Sequence, residues 1–124
     1  MCTPIEQLTA DGYDMQFGTN VVAHFFFTEL LLPALAAGAR SSPDGHSRVV
    51  TTSSNGGYLG KLQYNTFKDS PARTKAGTQE MYFQSKLANA VVAREAARRY
   101  ADRSVLCFSL HPGGYMRLVQ YYAH

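Results

Sequence analysis

Tyr82 and Lys86 stand four residues apart in a stretch rich in Ala, Leu, Arg and Glu, a spacing that stacks two side chains on one face of a helix. An ammonium beside a phenol favours the phenolate and draws a tyrosine below its reference pKa of about 10. A tyrosine tuned in this way can pass a proton to or from a substrate oxygen near neutral pH. Ser54 lies at the mouth of a short β-branched run, where its hydroxyl can hydrogen-bond the same oxygen. Asn20, inside a long helical pattern, can hold a water or a backbone group that links Lys86 to solvent. These four residues are the candidate catalytic set.

Each has a plainer counterpart. Tyr64 and Lys68 repeat the Tyr–Lys spacing, but Pro71 lies just beyond them, so no helix is expected to follow, and no Ser-Lys-x-Ala context surrounds them. Ser53 rivals Ser54 from the adjacent position. Asn20 alone would also suit a satisfied core polar group. His24 on an apolar face is expected to be a satisfied core histidine and His111 before Pro112 to be structural, and neither has metal-ligand spacing with a second ligand, so no metal is expected.

The elements that must position these residues follow from periodicity. Thr3-Pro4-Ile5-Glu6 has the makings of a capping box and a short turn of helix. Thr9–Gly12 starts again with a new cap. From Tyr13 through Phe17, Val21, His24, Thr28, Leu31 and Leu35, residues recur at steps of three and four, predicting a long helix that Pro33 bends and Gly38 ends. Apolar residues also fill its other face (Val22, Phe26, Phe27, Leu30), so it is expected to be buried on two sides. Arg48–Thr52 predicts an interior parallel strand. Leu59 to Thr78 is expected to be a long excursion and Gln79 to Tyr100 a second helix. Ser104 to Leu110 predicts a second buried strand. The fold class is α/β, a partial Rossmann-like (doubly wound parallel sheet) fragment in the order helix, strand, loop, helix, strand.

Composition narrows the function classes. The 124 residues suit one small domain, and 45% hydrophobic against 17% charged residues supports a packed core. A net charge of +3, from 12 Lys plus Arg against 9 Asp plus Glu, is too small to imply nucleic-acid binding. Two cysteines, Cys2 and Cys107, give neither a disulfide framework nor a metal set, and a reduced, cytoplasmic setting is expected. The longest apolar stretch, Val21 to Leu32, is interrupted by His24, Thr28 and Glu29, so no membrane span is expected.

Four motifs in order carry a resemblance: Thr-x-Asp-Gly-Tyr-x-x-x-Phe-x-x-Asn at 9–20, Arg-Val-Val-x-x-Ser-Ser at 48–54, Tyr-x-x-Ser-Lys-x-Ala-Asn at 82–89 and His-Pro-Gly-Gly at 111–114. The chain resembles the short-chain dehydrogenase/reductases, with the flavour of their retinol-dehydrogenase-like branch, from about Thr3 to Gly114. The long gap between Ser54 and Tyr82 suits that branch. The resemblance implies an NAD(P)(H)-dependent oxidoreductase moving hydride between a nicotinamide and a carbonyl or alcohol carbon. It implies Tyr82 as acid/base, Ser54 positioning the substrate oxygen, Lys86 lowering the tyrosine pKa and holding the nicotinamide ribose, and Asn20 supporting a proton relay. Tyr82, Lys86, Pro112 and Gly113 are the implied contacts to NAD or NADP, and Arg117 replaces a Thr or Ser that the family usually places there.

The resemblance also implies that residues 1–124 are the C-terminal, catalytic part of one Rossmann-like domain, without the N-terminal cofactor-binding half. No Gly-rich strand-to-helix turn is present to cradle a pyrophosphate, because Gly56-Gly57 lacks a third glycine and a following helix. Cofactor binding and turnover by this stretch alone are therefore not expected. Self-association through helices 13–37 and 79–100 is expected, the helix pair through which family members commonly dimerise. The alternative function is a non-catalytic, truncated relative that acts as an oligomerising interaction or ligand-binding module.

Overall fold

Asp14 starts the first helix. Its Oδ1 accepts the backbone N–H of Gln16 at 3.0 Å and of Phe17 at 2.9 Å, satisfying donors that no helical carbonyl can reach. In the computed structural model, which describes residues 2–113, this helix spans Met15–Ser41 with a π-helical turn at Gly18–Val22. The N-terminal expectation needs correcting: Thr3–Glu6 makes no helix, only a turn at Ile5–Glu6. Thr9 Oγ1 does accept the Tyr13 N–H at 3.1 Å, but it closes a turn ahead of the helix rather than capping it. At the far end the helix runs through Gly38 to Ser41. A helical glycine costs only about 1 kcal/mol against alanine, too little to stop a helix whose Leu32 and Ala39 are buried.

β1 (Ser47–Thr52) and β2 (Val105–Leu110) pair in parallel, in register from Ser47↔Val105 to Thr52↔Leu110. Parallel strands need a crossover, and the second helix, Pro71–Arg99, supplies it. Ser70 Oγ accepts the Arg73 N–H at 3.2 Å, and Pro71 occupies the first turn, where a missing N–H is no loss. The predicted loop from Leu59 to Thr78 is thus shorter than expected, because Pro71 opens a helix instead of interrupting one. Gly77, with φ 80° and ψ 171°, breaks that helix less than two turns later, in a region that glycine alone enters cheaply.

Both helices cover the same face of the sheet. Val49, Val105 and Cys107 pack there against Leu32, Ala96 and Tyr100. A second cluster joins Phe17, Val21 and Ala88, with the Phe17 ring stacked on Phe67 at 3.9 Å between centroids. The opposite sheet face carries exposed Val50, Phe108 and Leu110, so the described residues cover β2 on one side. The first helix is likewise not buried twice: Phe26, Phe27 and Leu30 are 62%, 59% and 63% exposed. Apolar sequence on two faces sets a demand for cover, and the described residues meet half of it. At 27 residues this helix is also long and apolar enough, by length and composition, to cross a membrane, which the expectation from its interrupted apolar run had set aside. Here it packs on the sheet and bonds to the second helix through Gln16 and Asn20.

Tyr100 closes the second helix onto the first. Its hydroxyl donates to the Glu29 carboxylate, and burial followed by that neighbouring anion pushes the phenol from 10.0 up to about 12. The folded chain therefore holds this proton more tightly than the unfolded one. Its contribution is complete below pH 10 and is lost as pH rises through about 12. Tyr100→Phe is expected to cost about 1 kcal/mol at pH 7 and to flatten the alkaline decline in urea melts. An alkaline slope identical to the parent's would refute the contact.

Candidate active site

The end of β1 is tied to one turn of the second helix. Lys86 is buried, and its Nζ donates to the Thr52 carbonyl at 3.1 Å. Asn89, three residues on and on the same helix face, donates to the same carbonyl at 3.0 Å. Ser53 Oγ returns a bond to the Lys86 carbonyl at 2.6 Å. Burial lowers the Lys86 pKa below the ordinary lysine value, because the charged form loses water. As the four-residue spacing requires, the Lys86 ammonium lies over the half-buried Tyr82 ring, 5.7 Å from its centroid.

Ser54 opens the loop that follows β1. Its Oγ accepts the Gly56 N–H at 3.2 Å and caps the 3₁₀ turn Asn55–Leu59. Glycines let this turn press on the second helix: a Cβ on Gly57 would lie 3.2 Å from the Leu87 nitrogen, and one on Gly60 only 2.5 Å from the Phe83 carbonyl oxygen. Backbone contact thus holds the Ser54 loop against the helix turn that follows Tyr82 and carries Lys86. Gly60→Ala is expected to push the loop off and cost about 1–3 kcal/mol, the usual range for overpacking. A urea midpoint equal to the parent's would show that the contact does not matter.

Two cavities share Lys86. One of about 370 Å³ is lined by Ser53, Ser54, Tyr58, Lys86, Leu110 and His111. The other, of about 560 Å³, lies between the first helix and β1, with Asn20, His24, Thr52, Lys86 and Asn89 among its walls. Ser54 and Lys86 therefore meet in one cavity, and Asn20 and Lys86 in the other. Asn20 sits in the π-helical turn and donates from Nδ2 to Ser85 Oγ at 3.0 Å; Ser85 in turn donates to the Tyr82 carbonyl at 2.8 Å. Asn20 thus reaches the tyrosine through its backbone.

The rival residues part company. Tyr64 is 78% exposed and packs edge-on against Phe67, while Lys68 lies over the Tyr13 ring. Ser53 spends its hydroxyl on the Lys86 carbonyl, whereas Ser54 keeps its oxygen at the loop mouth. His24 is exposed and lines the larger cavity, which corrects its reading as a core residue. His111 lines the Ser54 cavity, and Pro112 and Gly113 follow it, exposed, with Gly113 at φ 89°. Arg117 lies outside the described residues.

Sequence reasoning assigned no role to Asn89, Ser85 or Gln84. The first two are specified positions of the Tyr82–Asn89 motif, in which Gln84 is an unspecified one, and their spacing from Lys86 and Tyr82 was the available signal. Gln84, fully buried, bonds the Gln63 N–H at 2.7 Å and Thr66 Oγ1 at 2.9 Å and straps the intervening loop to the helix. Nothing local in the sequence marks that bond.

Lys86, a buried amine in the wall of both cavities, is the residue placed to hold a nicotinamide ribose; Tyr82 lines neither cavity and meets them through the Lys86 amine over its ring. The pyrophosphate does not find a cradle among the described residues, because Gly56 and Gly57 serve close packing against Phe83 and Leu87 and open no long helix.

No family model matches the chain. A short-chain dehydrogenase/reductase of Armillaria gallica is 52% identical over 113 residues, 91% of this chain and 36% of that protein. Retinol dehydrogenase 11 of Mus musculus is 38% identical over 105 residues, 85% of this chain and 30% of that protein. A crystal structure of a Mycobacterium paratuberculosis protein superposes with a TM-score of 0.69 at 32% identity, over 88% of this chain and 37% of that one. Carbonyl reductase Sniffer of D. melanogaster shares the fold, with a TM-score of 0.61 at 24% identity over 91% of this chain and 43% of its own. The chain spans about a third of the length of these curated relatives.

Proposed function

We propose, from the premise that this chain belongs to the short-chain dehydrogenase/reductases, that it carries the proton-transfer side of an NAD(P)(H)-dependent oxidoreductase acting on a carbonyl or alcohol. The observation that carries this reading is the buried Lys86 amine over the Tyr82 ring, in a cavity wall shared with Ser54. When bound, the nicotinamide supplies or accepts the hydride. Tyr82 gives its phenolic proton to the substrate oxygen in reduction and takes a proton back in oxidation. Ser54 holds that oxygen through its hydroxyl. Burial makes the Lys86 charge costly, because the ammonium loses water. Lys86 and Tyr82 would hold the nicotinamide ribose, with Pro112 and Gly113 alongside, and Asn20 would support a proton relay from the cavity it shares with Lys86.

We place the grip on the rest of the dinucleotide outside these 124 residues. The isolated chain is then expected to give no saturable change in nicotinamide fluorescence when titrated with NADH or NADPH. Tight saturable binding would overturn that placement. The activity itself is tested by grafting this chain into the matched region of the Armillaria gallica relative and following NAD(P)H oxidation with a panel of aldehydes and ketones. Turnover is the expected result. A folded graft that binds cofactor and reduces nothing would defeat the reading.

A second reading, a non-catalytic module that assembles through its helices, draws on the exposed Phe26, Phe27 and Leu30 of the first helix. Self-association through helices 13–37 and 79–100 would cover such a surface. A monomer in light scattering across a wide concentration range would count against it.

A further inference from the structure

We infer that Gln16 is a positioning residue for Tyr82, acting across the break in the second helix; the inference rests on the role proposed above for that tyrosine. Gly77 divides the second helix into a short piece carrying Arg73 and a long piece carrying Tyr82, and without a further tie the two could pivot at its left-handed backbone. The first turn of the first helix spans the break. Arg73 Nε donates to Asp14 Oδ2 at 2.9 Å on the near side. Asp14 Oδ1 accepts the Gln16 N–H, and Gln16 Nε2 donates to the Thr78 carbonyl at 2.8 Å on the far side. In the i→i−4 ladder, Thr78 is the residue whose carbonyl receives the Tyr82 N–H, and a carbonyl can accept twice. Gln16 therefore holds the head of the turn on which Tyr82 rides. Ser85, bonded by Asn20, holds the Tyr82 carbonyl from the other end.

Folding alone does not call for an amide at this position. Gln16 is 1% exposed, and its Oε1 is buried and meets no protein donor among the described residues. A buried acceptor without such a partner costs stability, so a methionine of the same length would pack at least as well. What methionine cannot do is donate to Thr78.

Gln16→Met in the 124-residue chain separates the two roles. The thermal midpoint is expected to stay within about 3 °C of the parent, since the donor lost and the acceptor removed offset each other. Hydrogen exchange at the Tyr82 amide is expected to speed up about tenfold relative to the amides of Val92–Ala97, a local opening without global loss. The Tyr82 ring carbon signals, assigned with Tyr82→Phe, should shift. Exchange that quickens equally along the whole helix together with a fallen midpoint, failure of the variant to fold, or unchanged Tyr82 exchange and ring signals would each overturn the inference. None of these readouts needs turnover, so failure of the oxidoreductase reading in the graft would be seen separately.

Discussion

Arg73→Met is expected to remove a large share of the chain's stability at room temperature. The guanidinium is 2% exposed and bonds the carboxylate of Asp14, 1% exposed, together with the carbonyls of Ile5 and Gln7. Methionine fills much of the volume but leaves Asp14 charged and without its buried counter-ion, and it strands the two carbonyls. Breaking a buried pair from one side costs about 3–5 kcal/mol, against a total stability of about 5–15 kcal/mol for a small domain. The loss should reach well beyond residue 73, because Asp14 also caps the first helix, and the pair joins the N-terminal segment to the second helix across 59 positions. Adding Asp14→Asn should recover part of the stability by removing the stranded charge. Urea unfolding followed by circular dichroism reads both effects. A single-variant loss below about 1 kcal/mol would mean that the pair does not hold the fold as described.

The second large effect is chemical. In the graft, Tyr82→Phe is expected to lower the reduction rate by a factor on the order of 10² to 10⁴, the usual contribution of a positioned acid/base group. The ring remains to pack, so the thermal midpoint should hold. Lys86→Met should also lower the rate while leaving stability level or slightly raised. The Thr52 carbonyl keeps its bond from Asn89, and a desolvated amine is removed. The sign in pH follows from the same burial. A lysine with a lowered folded pKa binds fewer protons folded than unfolded, so stability rises with pH between the folded value and 10.5. Lys86→Met should flatten that rise. A variant that loses stability together with rate would instead mark Lys86 as a packing residue.

How far these features could be read from the chain depends on distance along it. Tyr82 and Lys86 were legible because helical periodicity maps a spacing of four directly onto one face, and the structure places the amine over the ring. The parallel strands were legible from their β-branched runs, and their register follows from Ser47↔Val105 onward. The choice of Ser54 over Ser53 rested on resemblance; the distinction visible in the structure, the bond from Ser53 to the Lys86 carbonyl, crosses 33 positions. Arg73 fell inside the predicted excursion from Leu59 to Thr78 and drew no role, because its partners Ile5, Gln7 and Asp14 lie far away in sequence. Pro71 was taken for an interruption, although after Ser70 it is a helix start, a case where one residue type serves opposite ends of an element. The exposure of Phe26, Phe27 and Leu30 was not foreseen for a different reason: hydrophobicity states that a face favours cover, not that the described residues provide it.

The chain contains its own control for the central chemistry, since Tyr64 and Lys68 repeat the spacing of Tyr82 and Lys86 with both side chains exposed and the amine over Tyr13 instead of Tyr64. The most direct measurement is the rate of NAD(P)H-dependent carbonyl reduction by grafts carrying Tyr82→Phe or Tyr64→Phe. Proton transfer through Tyr82 predicts a fall on the order of a hundredfold or more for the first and a change within about twofold for the second. Equal losses, or a loss confined to Tyr64→Phe, would contradict it.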